Sequence, residues 1–249
     1  SFTLDTTQPA SPSVTFASGA FTNTASVTLN LSATGADQMK IDVIDTDGTR
    51  TAGAWETYAL TKGIVLPSAT QGTKRVEVAF RDLAGNVSAT ASAQTTFDNI
   101  APTGTSVAVA SGTYSTSLNA VLTLSATGAT EMVVAVDGTI DSETYEPYSA
   151  TKQVTLPTGE GTKTIVVRFR DAAQNTSAAT STQVTLDTQS PSGSISINGG
   201  AARTTTTLVT LAFAALPADV ASMQLSSDSA FTGATWQSLV NPTSLTLSG

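Results

Sequence analysis

Apolar and polar residues alternate with a period of two along most of this chain. Val27, Leu29, Leu31 and Ala33 alternate with Thr28, Asn30 and Ser32. Met39, Ile41 and Val43 alternate with Lys40, Asp42 and Ile44. Val76, Val78 and Phe80 alternate with Arg75, Glu77, Ala79 and Arg81, and Ile165, Val167 and Phe169 with Val166, Arg168 and Arg170. Successive side chains of an extended chain point to opposite faces, so this period predicts strands with one buried face and one mostly wet face. Turn signals separate them, at Thr34-Gly35, Asp47-Gly48, Ala84-Gly85-Asn86 and Asp137-Gly138. In the middle of the chain the pattern predicts seven strands, near 103–109, 118–126, 131–137, 144–149, 151–156, 162–170 and 178–186. Seven short strands in that length predict two packed sheets with Greek-key connections. No helical period is sustained; Pro217-Ala218-Asp219-Val220 allows one helical turn at most. The expected fold class is all-β: tandem immunoglobulin-like β-sandwich domains in a semi-rigid string.

The tandem reading comes from internal repetition. Ser32-Ala33-Thr34-Gly35-Ala36 recurs as Ser125-Ala126-Thr127-Gly128-Ala129, and Leu66-Pro67 as Leu156-Pro157. Gly72-Thr73-Lys74 recurs as Gly161-Thr162-Lys163, Phe80-Arg81-Asp82 as Phe169-Arg170-Asp171, and Asn86-Val87-Ser88 as Asn175-Thr176-Ser177. The offsets run from 89 to 93 residues, the length of one small β-domain. The joints repeat as well. Asp5-Thr6-Thr7-Gln8-Pro9 matches Asp98-Asn99-Ile100-Ala101-Pro102 and Asp187-Thr188-Gln189-Ser190-Pro191. Proline cannot donate to a ladder, and an Asp side chain before it can hold a turn, so each joint is expected to be short and stiff.

The expected domains are therefore 1–9, the end of a preceding repeat; 10–100 and 101–189, two full repeats; and 190–249, a partial repeat. Ser1 to Asp5 reads as a last strand of the preceding copy. In the partial repeat Met223 matches Met39 and Met132, Trp236 matches Trp55 and Tyr145, and Leu247 matches Leu66 and Leu156. The Gly-Thr-Lys and Phe-Arg-Asp segments have no third copy, and a sandwich lacking them would leave its core open, so the chain is expected to belong to a longer array.

Composition narrows the chemistry. The net charge is −8 and the pI about 4.3, and no Lys/Arg cluster interrupts the acidic surface, so nucleic-acid binding is disfavoured. There is no Cys and no His, which removes disulfides, thiolate sites and the usual neutral-pH base. No apolar run is long enough to span a bilayer; the longest, Leu208 to Leu216, is broken by Thr210 and stopped by Pro217. Acids are thinly spread and Ser and Thr fall on wet strand faces, so no catalytic residue is assigned and no enzyme is expected.

The segment Gly72-Thr73-Lys74 through Phe80-Arg81-Asp82-Leu83-Ala84-Gly85-Asn86-Val87-Ser88, with the joints Leu4-Asp5-Thr6 and Leu186-Asp187-Thr188, resembles bacterial Ig-like repeats of large surface proteins (adhesins) and phage tail or fibre proteins. The middle joint departs with Phe97-Asp98-Asn99. The second copy of the turn has Gln174 where the first has Gly85, so a relaxed turn is expected there. The resemblance implies modules that serve as spacers, stalks or binding decorations, outside the cell or on a virion.

Several residues remain as site candidates. Asp45 and Asp47 open a loop, Asp45-Thr46-Asp47-Gly48, like the start of a calcium loop, and the joint acids Asp98 and Asp187, with Asp5, offer calcium bridges. Gly48 does not fall at the sixth position, no helices flank the loop, and each joint offers a single acid, so no cofactor is assigned. Trp55, Tyr145 and Trp236 mark a repeated aromatic motif that would stack on sugar rings if exposed, or plug a strand edge if not. Arg81, Asp82 and Asn86, repeated as Arg170, Asp171 and Asn175, read as a turn held by its own side chains. The lysines Lys62, Lys152, Lys74 and Lys163 recur but do not obviously face a core, which argues against a Lys–Asn crosslink. Asn30, Asn86 and Asn175 begin glycosylation sequons. The expected role is a non-enzymatic spacer or stalk at a cell surface or on a virion, its partners being neighbouring repeats of the same longer chain. The alternatives are an adhesion module for a surface glycan, a host receptor or other virion proteins, and the accessory region of a secreted hydrolase.

Overall fold

The computed structural model describes residues 3–247. Two compact units make up the chain, Ser1–Asp187 and Thr188–Gly249. The first unit holds two sandwiches built to one plan. In the first sandwich the strands are β1 (Ala10–Phe16), β2 (Phe21–Thr22), β3 (Ser26–Thr34), β4 (Gln38–Ile44), β5 (Arg50–Thr51), β6 (Glu56–Thr57), β7 (Thr61–Val65), β8 (Gly72–Arg81) and β9 (Ala91–Phe97). One sheet has the order β1-β3-β7; the other has the order β2-β9-β8-β4-β5, with β6 also on β4. The chain changes sheet between β3 and β4, between β6 and β7, and again before β8, so the two faces close over one core.

The second sandwich repeats this with β10 (Thr103–Val109), β11 (Tyr114–Ser115), β12 (Asn119–Thr127), β13 (Glu131–Ala135), β14 (Glu146–Pro147), β15 (Thr151–Thr155), β16 (Gly161–Arg170) and β17 (Thr180–Leu186). Its sheets are β10-β12-β15 and β11-β17-β16-β13-β14. All strand pairs of both sandwiches are antiparallel except β2 with β9 and β11 with β17.

The period-two pattern becomes the core. Leu29, Val76, Val78 and Phe80 are fully buried in the first sandwich, and Leu122, Ile165, Val167 and Phe169 in the second. Burying each such side chain stabilises the fold by about 1.5–3 kcal/mol. The pattern misleads at one end of β4. Val43 does pack on the core, but Ile44, expected on the wet face, is buried as well.

Short strands β2 and β11 were not predicted, because two residues carry no periodicity. Main-chain bonds to β9 and β17 make them, Thr96 N donating to Ala20 O and Thr185 N to Thr113 O, each at 2.8 Å. Thr22 Oγ1 donates to Thr24 O at 3.0 Å and Ser115 Oγ donates to Ser117 O at 2.7 Å, leaving each buried hydroxyl satisfied. The same motif recurs in the second unit, where Thr204 Oγ1 donates to Thr206 O at 3.1 Å.

The second unit contains β18 (Ser194–Ile197), a 3-10 turn at Asn198–Gly200, β19 (Leu208–Ala214), β20 (Ser222–Met223), β21 (Gln237–Ser238) and β22 (Thr243–Thr246). The order β18-β19-β22 copies β1-β3-β7 and β10-β12-β15, and β20 pairs with β21. Leu247 N donates to Thr207 O at 2.8 Å, as Leu66 N does to Ala25 O and Leu156 N to Leu118 O. Those three leucines therefore hold one register. Pro217 to Val220 forms a turn closed by Val220 N to Pro217 O rather than a helix. No helix among the described residues is long and apolar enough to cross a membrane. At the start of the chain, Thr3, Leu4 and Asp5 carry no strand, in contrast to the strand expected there; Ser1 and Phe2 lie outside the described residues.

Candidate functional site

The residues that recur between copies gather at one end of each sandwich, where β8 or β16 runs into its turn. Arg81 ends β8 and points outward, opposite in parity to the buried Phe80. Its guanidinium lies 4.5 Å from the Trp55 ring centroid, and its Nε donates to Gln38 Oε1 at 2.6 Å. Arg170 does the same over Tyr145 at 3.9 Å, with Nε donating to Glu131 Oε2 at 2.6 Å. That bond holds the Glu131 carboxyl below its usual value. Tyr58 and Tyr148, three residues after the stacked ring, meet Phe80 and Phe169 edge-on at 5.5 and 5.7 Å. The strand-edge aromatic motif is thus clamped between a cation on the wet side and a ring on the dry side. Trp236 of the second unit is different: it stands before β21 and is 69% exposed.

The turn after β8 is held by Asp82. Its Oδ1 accepts Asn86 N at 2.9 Å and its Oδ2 accepts Asn86 Nδ2 at 2.8 Å. The Asn86 contacts lower the Asp82 carboxyl from its usual value. Asp171 accepts the same two bonds from Asn175, both at 2.9 Å, and is itself buried. The serine two residues on closes the turn: Phe80 N donates to Ser88 Oγ, and Phe169 N to Ser177 Oγ, both at 3.1 Å. Gly85 and Gln174 occupy the same left-handed position, at φ +93° and +71°. The second turn therefore does not relax; Gln174 adopts the strained backbone because every other bond of the turn is made.

Asn86 and Asn175 each reach out of their turn to a joint. Asn86 Nδ2 donates to Asp5 O at 3.1 Å and Asn175 Nδ2 to Asp98 O at 2.8 Å. The joint acids hold local turns, with Thr7 N donating to Asp5 Oδ1 and Ile100 N to Asp98 Oδ1, both at 2.9 Å. Asp187 N donates to Ser115 O at 2.9 Å. Pro9 and Pro102 are buried at the start of their sandwiches.

Asp45 and Asp47 do not converge with other acids, and no group of three or more acids gathers among the described residues. Asp47 Oδ1 accepts Thr49 N at 2.8 Å. Asp45 is paired with Lys74, which corrects the expectation that this lysine avoids the core face. Lys74 lies on β8 in phase with Val76, Val78 and Phe80, and its side chain is 0% exposed. Besides the Asp45 carboxylate, its Nζ donates to Thr70 O and Thr70 Oγ1, each at 2.8 Å. The Lys74 bond to the Asp45 carboxylate, with one from Thr46 N, lowers the Asp45 pKa to about 2. A metal ion at Asp45 would have to displace a resident ammonium. Lys163 is only half-buried and donates to Thr158 O at 3.3 Å. A lysine at the start of an apolar alternation was the available signal. Lys62 and Lys152 lie at a sheet edge, paired with Glu56 and Glu146.

No family model matches the chain, and no curated protein matches it in sequence. Solved structures similar to it are fibronectin-III and Ig-like modules. Fibronectin(III)-like modules of Clostridium thermocellum CbhA align at 15% identity over 70% of this chain and 93% of that one, with a TM-score of 0.45. A two-domain fibronectin type-III segment of chicken tenascin aligns at 9% identity over 72% and 99%, with a TM-score of 0.32. The BSP domain of a biofilm associated protein aligns at 15% identity over 72% and 29%, with a TM-score of 0.25. The class of this chain rests on its own strand order, which is that of tandem Ig-like β-sandwich domains.

Proposed function

We propose that the chain is a structural spacer: tandem sandwiches within a larger extracellular protein of a cell surface or virion, with neighbouring repeats of the same chain as its partners. One observation carries this reading. The side chains that recur between the two full copies are consumed inside the protein: each stacked aromatic by an arginine, each turn Asp by an Asn, each turn Asn by a joint carbonyl. Features selected for ligand contact would be left open to solvent instead. The acidic, Cys-free, Thr/Ser-rich exterior suits a long soluble array.

A second reading has one specific support, the exposed Trp236 ring, which fits stacking on a glycan or seating in a receptor. The two separate by titrating the purified chain on a glycan array and on intact cells. The spacer reading expects no saturable binding. Binding lost in Trp236→Ala assigns an adhesion role to the second unit. Binding that survives Trp236→Ala and is lost in Trp55→Ala overturns the spacer reading for the first unit as well.

A further inference from the structure

We infer that the Asp-x-x-x-Asn turn of each repeat is a latch for the joint entering that same repeat, and that Asn175 sets the angle between the first and second sandwiches. This deepens, and rests on, the spacer reading.

The geometry of the latch is preset. Asp171 accepts both the backbone N–H and the side-chain Nδ2 of Asn175, and Asp171 is buried, so the amide is aimed before any joint arrives. Preorganised donors lose little freedom on engagement. Both hydrogens of the amide are then used, one on Asp171 Oδ2 at 2.9 Å and one on Asp98 O at 2.8 Å. Asn86 divides its hydrogens identically, between Asp82 Oδ2 at 2.8 Å and Asp5 O at 3.1 Å. The same long-range bond therefore forms at two successive joints of different sequence. It can do so because its target is a main-chain carbonyl, which every residue supplies.

The joint is gripped from its other side by the outgoing repeat. Asp98 N donates to Thr22 O at 3.0 Å. Asn99 N donates to Gln71 Oε1 at 3.0 Å, and Gln71 Nε2 donates to Asn99 Oδ1 at 2.5 Å. Residues 98 and 99 are thus tied to the first sandwich by Thr22 and Gln71, and to the second by Asn175. Swinging one domain against the other must break one of these ties. Around them lies a cleft of about 440 Å³ lined by residues including Phe97, Ile100, Pro102 and Asp171. With open space beside the joint, a few hydrogen bonds decide its angle.

The test is a distance distribution between spin labels on the full chain. Ser32→Cys and Ser125→Cys place one exposed label at equivalent positions of the two sandwiches, and no native Cys competes. The otherwise native chain is expected to give one narrow peak, and Asn175→Ala to lose it. Asn86→Ala removes the same turn chemistry but grips Asp5, so it is expected to leave the peak unchanged. An unchanged peak in Asn175→Ala overturns the latch and leaves the spacer reading standing. Equal broadening in Asn86→Ala overturns the latch as well, since it reports turn loosening rather than joint contact. A broad distribution already present without either substitution overturns both the latch and the stiffness of the spacer. If Asn175→Ala does not fold, Asn175→Ser keeps an uncharged donor for Asp171, is too short to reach Asp98 O as well, and is read in the same way.

Discussion

At two of the left-handed backbone positions that the two sandwiches share, only one copy has glycine. At the register shift that opens β1 and β10, the first copy has Ser11 at φ +52° and the second has Gly104 at φ +61°. At the turn after β8 and β16, the first has Gly85 at φ +93° and the second Gln174 at φ +71°. A side chain in this region costs about 1–2 kcal/mol, offset in part by the greater entropy a glycine loses on folding. Ser11→Gly and Gln174→Gly are each expected to stabilise their own sandwich by about 0.5–1 kcal/mol, read as a higher denaturant midpoint at unchanged m-value. A midpoint that falls would show that the side chain makes a contact worth more than the strain. Lys74 is the opposite case, a residue whose removal is costly. Lys74→Ala leaves the Asp45 carboxylate facing the cavity, and the expected loss is about 2–3 kcal/mol. That is below the cost for a fully buried pair because Asp45 keeps 13% of its side chain exposed. Equilibrium unfolding of the first sandwich measures it.

At the level of strands, the sequence pattern carried most of the design. The seven segments expected in the second copy correspond to β10 and β12 to β17, because alternation of Val, Ile, Leu and Phe with polar residues is what a half-buried strand requires. Leu29→Ala is accordingly expected to cost about 2–5 kcal/mol, and Val65→Ala, at an exposed position of β7, within about 0.5 kcal/mol of nothing. Comparable losses at the two positions would mean that the faces of the first sheet are misassigned. What the pattern could not reveal depends on contacts distant in sequence. Lys74 is core-facing by parity, but beside the local Thr70 oxygens its burial draws on the carboxylate of the Asp45–Thr46 loop, nearly thirty residues earlier. The parallel strands β2 and β11 are two residues each, too short to carry a period. The candidate site was half legible. Its residues were visible as a repeated Arg-Asp…Asn turn, and the turn bonds follow from residues four apart. The reach of Asn175 to Asp98, 77 residues away, belongs to the packing of one domain on the next. No single repeat contains that information.

At the scale of the whole molecule, near-identical domains need not share one response to pH. The first sandwich carries the Lys74–Asp45 pair, with the Asp45 pKa lowered to about 2 by the lysine ammonium and the Thr46 amide. Its unfolded value is about 3.9. A folded-state pKa below the unfolded one contributes stability that is fully present above about pH 4 and lost as pH falls toward about 2. The corresponding stretch of the second sandwich reads Val136-Asp137-Gly138, with no counterpart of the Asp45-Thr46 pair, and Lys163 there bonds a backbone carbonyl. Between about pH 4 and 2 the first sandwich is therefore expected to lose more stability than the second. The chain has two tryptophans, so in Trp236→Phe the fluorescence of Trp55 reports the first sandwich alone, while tyrosine signals from Tyr114, Tyr145 and Tyr148 include the second. Denaturant midpoints from Trp55 at pH 5 and pH 2.5 should differ by more than those of the second sandwich. In Lys74→Met this contribution should shrink but keep its sign. Without the ammonium, the Thr46 amide and the Thr70 hydroxyl still hold the Asp45 carboxyl low against desolvation. The first sandwich should then be less stable near neutral pH, and its loss between about pH 4 and 2 should fall toward that of the second. If Lys74→Met keeps the full acid sensitivity of the native chain, the acid response lies in other carboxylates, and the buried pair is not what separates the two domains.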